Sequence, residues 1–247
     1  MSAPGALLER WRETREGFAP LFLEPILEPA FAHLEPAIGP GRTCLDLGSG
    51  AGHVAAAVRA CGGHTIALDV DVPELARARH RFPGGEALAA DAARLPLADG
   101  SVDAIFCFSV LQYTDRPSAI AEMRRVLRAD GRLVVVENLA GSPVALAYRA
   151  WRAIAGIRYP DRLTPRRHLA WSERGMFLRH FPIGRCDACS LISPLLLALP
   201  RVYAADASEG PHSPVRTWLN RVRRWDSAWL EAVPALRHGA WMLIFRG

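Results

Sequence analysis

Residues 44–53, CLDLGSGAGH, combine a carboxylate with three glycines at alternate positions. Asp46 precedes Gly48, Gly50 and Gly52. Glycines leave backbone amides bare, so that a ligand can approach them closely at the turn before a helix. A carboxylate at this place repels a diphosphate and attracts an ammonium group. The stretch therefore predicts a binding site for a ligand that is partly cationic.

The glycine spacing separates this stretch from a dinucleotide-binding turn. Such turns carry G-x-G-x-x-G, whereas this one runs G-x-G-x-G and has His53 where the third glycine would stand. Asp69 ends the next apolar run, and its two carboxylate oxygens suit the vicinal hydroxyls of a ribose. Because an acid at that place also suits a dinucleotide, NAD is the alternative ligand.

The composition excludes several kinds of chemistry. All 30 basic residues are arginine, which rules out a Walker-type phosphate loop, a Schiff base and a lysine nucleophile. The five cysteines are an odd number, and the CDAC pair at 186–189 has no second CxxC or histidine pair to complete a zinc site. We therefore predict free cysteines and no metal.

The elements that must position these residues form an α/β pattern between residues 40 and 140. Short apolar runs alternate with helical patterns, as in βαβ units with a parallel sheet. The predicted strands are TCLDL, HTIALD, EALAA, VDAIFCF and RLVVVE. The predicted helices are HVAAAVRACG, VPELARARHRF and RPSAIAEMRRVLRADG, the last of them ending at Gly131. The candidate residues thus fall at the carboxyl ends of strands, where open α/β sheets bind ligands.

The flanking regions predict a three-part organisation. Residues 1–39 form a helical cap of one or two helices broken at Pro20, Pro25 and Pro29, residues 40–140 the core, and residues 141–247 a helix-rich end with strands in GRCDACSLI and AWMLIF. Apolar runs stay well short of the roughly 20 residues that a membrane helix needs. The first residues turn charged early, unlike a signal peptide, so we expect a cytoplasmic protein.

Four motifs in order make the chain resemble the class I S-adenosylmethionine-dependent methyltransferases, within the broad group that includes the ubiquinone/menaquinone C-methyltransferases. They are LDLGSGAG, ALDVD, ADAARLPLADGSVDAIFCFSVLQY and EMRRVLRADGRLVVVE. The resemblance implies an α/β fold with a Rossmann-like seven-stranded sheet, helices on both faces, an N-terminal helical segment and a helical lid near the C-terminus. It also implies S-adenosylmethionine as cofactor and S-adenosylhomocysteine as product.

The resemblance implies roles for the first two motifs. Asp69 would accept both ribose hydroxyls, and Val70 would pack on the adenine face. The amino acid part of the cofactor would be surrounded by Asp46, Gly48, Ser49, Gly50 and Gly52.

The later motifs would complete the cofactor site. By the same resemblance, Asp91 would take the adenine amino group, and the Ala92 amide an adenine ring nitrogen. Phe108 and Ser109 would line the sulfonium and the methyl group in transit. Asp71, Asp99 and Asp103 are interpreted as solvated charges of loops or turns.

Methyl transfer is an in-line displacement on an activated sulfonium, and this limits what a base must do. Positioning can supply roughly 7 to 11 kcal/mol, whereas a general base contributes about 10²- to 10⁴-fold. The catalytic candidates are Gln112 and Tyr113, just beyond the fourth strand, and His168. Relatives often carry histidine where Tyr113 stands, so the residue either contacts the acceptor or packs. His212 is interpreted as a surface histidine.

The C-terminal half should select the acceptor. Residues 141–247 carry 16 arginines against 7 acids, whereas residues 1–140 carry 14 against 18. This charge favours an acidic acceptor, such as a carboxylate, a phosphorylated metabolite or a chain tethered to an acidic carrier protein; the alternative is an arginine-biased coding sequence. Residues 194–237 are predicted to form the lid.

A stripe of large apolar residues in the lid has helical spacing. It lies in VRTWLNRVRRWDSAWL and consists of Trp218, Val222, Trp225 and Trp229. Such a stripe favours a face that points into the core. The arginines around it are Arg216, Arg221, Arg223 and Arg224.

Three functions follow as hypotheses. The first is methylation of a small-molecule acceptor, and the second is an S-adenosylmethionine-binding protein that cyclises or cleaves the cofactor or has no catalysis. The third is nucleic acid methylation, suggested by the pI of about 9.3. The sequence lacks an Asn/Asp-Pro-Pro-aromatic motif after the fourth strand and lacks basic residues interleaved with a stacking platform, so no stable nucleic acid partner is expected.

Overall fold

The computed structural model describes residues 5–14, 19–154, 156, 167–193 and 214–247. Within these ranges seven strands form one mixed sheet in the order β3-β2-β1-β4-β5-β7-β6. The strands are β1 (Thr43–Leu47), β2 (His64–Asp69), β3 (Glu86–Ala89), β4 (Val102–Phe108), β5 (Leu127–Asn138), β6 (Arg185–Cys189) and β7 (Met242–Arg246). The predicted Rossmann-like α/β class is confirmed.

The helices fall before, between and after the strands. They are α1 (Ala6–Thr14), α2 (Ala19–Leu34), α3 (His53–Ala60), α4 (Val72–Arg81), α5 (Arg116–Val126), α6 (Pro143–Ile154), α7 (Gly175–His180) and α8 (Pro214–Ala232). Short 3-10 helices cover Glu35–Ala37, Trp171–Arg174 and Pro234–Gly239. In the described ranges, none of the helices has the length and apolar character to cross a membrane.

The direction of the strands decides where the predicted site residues meet. β2, β1, β4 and β5 run parallel, each hydrogen-bonded to the next, and β3 runs parallel to β2. β7 is antiparallel to both β5 and β6, so β6 runs parallel to β5. The carboxyl ends of β1 to β6 therefore lie at one edge of the sheet, which we call the carboxyl edge.

Two boundaries differ from the sequence prediction around α5 and β5. α5 ends at Val126 and not at Gly131, because Leu127 already pairs with Val102. The register then shifts, so that Arg132 pairs with Ala104. Leu127 is buried, and burial of this side chain against β4 favours the strand over another helical turn.

α2 runs through Pro25 and Pro29, so the predicted breaks at these prolines are wrong. A proline inside a helix costs about 3 kcal/mol. α2 nevertheless buries Leu27 and Phe31 almost completely, and each large apolar side chain returns about 1.5–3 kcal/mol on burial. The ring of Phe31 lies 5.4 Å from that of Phe106 on β4. Packing on the sheet therefore outweighs the lost helical hydrogen bonds.

Asp103 is not a solvated charge, contrary to its sequence interpretation. Its side chain is 1% exposed, and its Oδ1 accepts hydrogen bonds from Arg42 and Arg128, each at 3.0 Å. Its Oδ2 accepts from the Thr43 amide at 2.8 Å. A carboxylate at this depth is stable because both oxygens are paired. Asp103 thereby ties the start of β1 to β4.

The cysteines have the state that the sequence predicts. All five are free, and the described residues contain no cluster suited to a metal.

Helix α8 does not turn its tryptophans into the core. The predicted core-facing stripe is wrong, since Trp218, Trp225 and Trp229 are 43%, 69% and 58% exposed. Among the described side chains of α8, those of Leu219, Asp226 and Leu230 are buried.

Candidate functional site

The glycine-rich loop follows β1 at the carboxyl edge. The three glycines adopt left-handed backbone angles, with φ of +70° at Gly48, +48° at Gly50 and +74° at Gly52. A Cβ on Gly48 would lie 2.1 Å from Val110, and one on Gly52 would lie 2.8 Å from Ala78. A Cβ on Gly50 would meet nothing within 4 Å. Gly48 and Gly52 therefore serve packing, and Gly50 borders open space.

Asp69 reaches this loop from the end of β2. Its Oδ2 accepts a hydrogen bond from the Gly50 amide at 2.8 Å, and its Oδ1 accepts from the Asp71 amide at 2.9 Å. The next residue, Val70, is 59% exposed. The Asp69 carboxylate thus lies against the Gly50 amide, and an exposed apolar side chain follows it directly in the sequence.

Asp46 holds the helix that follows the loop. The side chain is 3% exposed, and its Oδ2 accepts from the amide of Ala55 in the first turn of α3, at 2.9 Å. A carboxylate near the N-terminus of a helix interacts favourably with the helix dipole. This contact gives Asp46 a structural role beside its predicted role toward an ammonium group.

Asp91 and Ala92 follow β3. Oδ1 of Asp91 accepts from the Ala93 amide at 2.9 Å and from the hydroxyl of Thr114 at 2.8 Å, and Ala92 is buried. Because Thr114 lies in the loop after β4, Asp91 connects the loops that follow β3 and β4. The Asp91 side chain is at the surface of this edge.

β4 ends at Phe108, and Ser109 follows it with a strained backbone angle. Ser109 has φ of +57°, which is uncommon for a residue with a Cβ and concentrates at functional sites. The Ser109 amide donates to the Val136 carbonyl at 2.8 Å, and its hydroxyl accepts from Asn138 at 2.8 Å. The half-buried Phe108 ring stacks on Phe106. β5 therefore holds Ser109 in this conformation.

Glu137 is a buried acid at the carboxyl edge that the sequence analysis did not single out. It is fully buried near the end of β5, and its Oε1 accepts from the amides of Val110 and Leu111, each at 2.7 Å. Its Oε2 has no hydrogen-bond partner among the described residues. Burial raises the pKa of this carboxyl to about 7. The only sequence signal was an acid at the end of the apolar run VVVE.

Gln112 and Tyr113 continue the loop after β4. Gln112 is 5% exposed, and its Nε2 donates to the Ser109 carbonyl at 3.2 Å. Its Oε1, like Ser49 Oγ, has no partner in the described part of the chain. Tyr113 is half-buried and its amide donates to the Val110 carbonyl at 2.9 Å. Buried polar atoms are normally paired, so Ser49, Gln112 and Glu137 leave hydrogen-bonding capacity for a polar ligand.

Arg116 connects this loop with the segment that carries His168. Arg116 is 8% exposed, and its Nε donates to the Leu111 carbonyl at 3.1 Å. Its Nη1 lies 3.2 Å from Glu173 Oε2, and its Nη2 donates to the Arg167 carbonyl. Leu111 is therefore held at its amide by Glu137 and at its carbonyl by Arg116.

The segment of His168 is held at the carboxyl edge by pairing with residues just beyond β5. Its neighbour Leu169 forms a parallel bridge with Leu139, just beyond β5, and the Ala140 amide donates to the Leu169 carbonyl at 2.8 Å. The structure thus brings the segment of His168 to the edge that carries Gln112 and Tyr113. A cavity of about 320 Å³ between these segments is lined by Gln112, Thr114, Arg116, Arg167 and Glu173. Of the remaining sequence candidates, His212 and residues 194–213 of the predicted lid lie outside the described residues.

Sheet order and site together define a class. A mixed seven-stranded sheet with a glycine-rich loop after β1 and an acid ending β2 is the Rossmann-like arrangement of class I methyltransferases. Residues 45–135 match the family model described as a methyltransferase domain. Residues 45–135 are therefore a methyltransferase domain of the S-adenosylmethionine-dependent kind, with S-adenosylmethionine as the cofactor.

Two curated relatives are similar over part of their length. The chain is 35% identical over 181 residues to a malonyl-[acyl-carrier protein] O-methyltransferase of Methylococcus capsulatus. The aligned region covers 70% of this chain and 63% of the relative. It is 37% identical over 99 residues to a demethylmenaquinone methyltransferase of Beutenbergia cavernae, covering 40% and 41%. The chain thus spans less than two thirds of each relative.

A solved structure shares the fold. An S-adenosylmethionine-dependent methyltransferase of Archaeoglobus fulgidus superposes with a TM-score of 0.57 at 13% identity, over 91% of this chain and 92% of that one. At this identity the likeness concerns the fold alone. The resemblance found in the four motifs is confirmed by the family match.

Proposed function

We propose that this protein transfers the methyl group of S-adenosylmethionine to a small-molecule acceptor. The observation that carries the proposal is the open space over Gly50, whose amide donates to the Asp69 carboxylate, with the exposed Val70 directly after Asp69. In the reaction an electron pair of the acceptor forms a bond to the methyl carbon. The carbon–sulfur bond breaks with its electrons on sulfur, and any proton on the acceptor atom passes to water or a base.

The residues at the carboxyl edge have separate tasks in this proposal. Asp69 accepts hydrogen bonds from the ribose, and Val70 packs against the adenine. Asp91 and the Ala92 amide recognise the polar edge of the base. The glycine loop and Asp46 surround the amino acid part. Phe108 and Ser109 border the position of the methyl group, because β4 ends there beside the loop.

Catalysis in this proposal depends mainly on placing the acceptor. Positioning is worth roughly 7 to 11 kcal/mol, more than the 3 to 5 kcal/mol of a general base. Gln112, Tyr113 and His168 are the groups that contact the acceptor, since their segments meet at the carboxyl edge. The unpaired Oε1 of Gln112 can accept a hydrogen bond from the acceptor.

We further propose that the acceptor is acidic, either free or tethered to an acidic carrier protein. Support comes from the 16 arginines against 7 acids in residues 141–247 and from a relative whose name specifies an acyl-carrier protein substrate. Residues 1–39 would then be a helical cap, residues 40–140 the cofactor domain and residues 194–237 the acceptor lid.

Gly50→Val tests the cofactor site, and Gly41→Val is its matched control. Both glycines have positive φ, +48° and +74°, with nothing within 4 Å of an added Cβ, so the two substitutions impose similar backbone strain. Only Gly50 lies in the loop at the carboxyl edge. We expect Gly50→Val to lose S-adenosylhomocysteine binding in calorimetry and Gly41→Val to keep it. Equal binding by both variants would contradict the proposed site.

Two further measurements separate the alternatives. Thermal stabilisation by NAD, with none by S-adenosylhomocysteine, would overturn the cofactor assignment. Mass spectrometry with labelled S-adenosylmethionine distinguishes a methylated acceptor from a cyclised or cleaved cofactor. A metabolite screen that measures release of S-adenosylhomocysteine identifies the acceptor.

A further inference from the structure

Helix α8 exposes its tryptophans to solvent instead of burying them in the core. Trp218, Trp225 and Trp229 are 43%, 69% and 58% exposed, and at 3.6 residues per turn their directions fall within about 40° of one another. We call these three residues the tryptophan face. An exposed aromatic stripe on a well-anchored helix marks a surface that another body covers.

The tryptophan face is held at the carboxyl edge. Asp226, on the buried side of α8, accepts hydrogen bonds from the amides of Leu191, Ile192 and Ser193, each at 2.9 Å. These amides follow β6, and the carboxyl end of β6 lies on the same edge as the cofactor loop. The side chain of Ile192 is 45% exposed beside this anchor. The orientation of α8 is therefore set by the sheet.

Arginines border the tryptophan face on its solvent side. Arg221 and Arg224 are exposed and point about 60° and 120° from Trp218 around the helix, away from the buried side. Arg223 points about 140° in the opposite sense and donates to Asn220 at 3.2 Å. Apolar rings next to guanidinium groups are typical of helices that lie in the interface of an anionic membrane.

The exposed area favours a lipid surface over a protein partner. The exposed parts of the three indoles amount to roughly 250–400 Å², about half or less of the ~800 Å² that each partner buries in a specific protein interface. A lipid interface does not require such an area, because headgroups and acyl chains adapt to the inserted rings.

We propose that α8 docks on an anionic phospholipid surface, with the tryptophan face inserted at the headgroup level and Arg221 and Arg224 on the lipid phosphates. This attachment is peripheral. It presents the carboxyl edge, and with it the cofactor site, to the membrane surface. An acceptor dissolved in or adsorbed to such a surface would then reach the site without crossing bulk water.

Vesicle flotation with the intact 247-residue chain tests the proposal. We expect binding to vesicles of phosphatidylglycerol with phosphatidylcholine, and little binding to phosphatidylcholine alone. Replacing Trp225 and Trp229 by Ser should abolish flotation. Arg224→Gln should weaken binding about fivefold, the effect of one basic residue near a charged surface. Its neighbour Arg223→Gln removes the same charge from the other side of the helix and should change binding less than twofold.

A second control lies at the opposite edge of the sheet. Ile183 precedes β6 and is 99% exposed, so Ile183→Ser removes one exposed apolar side chain at the amino end of β6 and should leave flotation unchanged. Calorimetry with S-adenosylhomocysteine confirms that each variant is folded. The arginine pair keeps the test independent of the tryptophan substitutions.

Three results would overturn the proposal. One is equal binding to neutral and anionic vesicles. Another is an equal loss of vesicle binding in Arg223→Gln and Arg224→Gln, which would show an effect of net charge alone. The third is absence of vesicle binding together with tight, Trp225-dependent binding of an acidic carrier protein, which would assign the face to a protein.

Discussion

Glu137 is the residue at the carboxyl edge whose chemistry depends most on its surroundings. Its Oε1 accepts two backbone amides from the loop after β4, while Oε2 lies buried without a partner among the described residues. Burial opposes ionisation and the two amides favour it, and burial dominates, so the pKa rises to about 7. Glu137 therefore holds the loop of Gln112 and also makes stability depend on pH.

The Glu137→Gln variant should reveal this dependence in urea denaturation across a pH series. Between the ordinary pKa of 4.5 and the folded pKa of about 7, the unfolded chain loses the proton that the folded chain keeps. The contribution of Glu137 to stability is thus present below 4.5 and is lost as pH rises through 7, by about 3 kcal/mol. The amide side chain does not titrate. The free energy of unfolding of the variant, relative to that of the parent protein, should therefore rise from pH 5 to pH 7 and stay constant above pH 7.

Glu122→Gln is the matched control for this measurement. Hydrogen bonding to Arg125 lowers the pKa of Glu122, so its contribution is present above its ordinary pKa and is lost only as pH falls through the lower folded value. The difference between Glu122→Gln and the parent should be flat from pH 5 to pH 8. A flat difference for Glu137→Gln as well would mean that Glu137 ionises alike in both states.

At the scale of elements, the carboxyl edge is assembled by contacts between loops. Arg116 at the start of α5 reaches the Leu111 carbonyl, the Arg167 carbonyl and the Glu173 carboxylate. These groups belong to the loop after β4, the segment of His168 and a 3-10 helix. One buried guanidinium thus fixes the relative position of segments more than 50 residues apart in sequence.

Arg116→Gln should lower the free energy of unfolding by about 2 kcal/mol, because it removes the buried donor of the Leu111 and Arg167 carbonyls. The Glu173 carboxylate keeps its hydrogen bonds from Arg167 and from the Ala170 amide. The control is Arg77→Gln on α4, where an exposed pair with Glu74 is removed; that change should cost no more than about 0.5 kcal/mol. Urea denaturation of both variants gives the comparison. Similar losses would show that Arg116 does not hold the loops together.

At the scale of the molecule, the basic half of the chain should act on acceptor capture and little on the cofactor. Attraction between exposed charges is screened, with a Debye length of about 10 Å at 0.1 M salt. Once an anionic acceptor is identified, its KM should rise with ionic strength, while the Kd of S-adenosylhomocysteine stays within about twofold, or 0.4 kcal/mol. A KM that is independent of salt would indicate that the arginines do not steer the acceptor.

Local sequence patterns determined the strands of the cofactor domain and the positions of its loop residues. β1, β2 and β4 have the predicted limits, because each is a short apolar run closed by a glycine, an acid or a serine. Apolar runs specify strands through burial on both faces, and turn residues specify where they end. Asp69 and the glycine loop could therefore be placed at one edge from the chain alone.

Only the tertiary structure decided the features that depend on partners distant in sequence. Pro25 and Pro29 stay in a helix because the sheet buries the residues around them. Glu137 binds amides 26 and 27 residues away, and Arg116 binds groups 51 and 57 residues away. The sequence shows the helical period of α8, but periodicity does not say which face of the helix packs against the rest of the protein. The three backbone amides that bind Asp226 turn that side inward and leave the tryptophans outside.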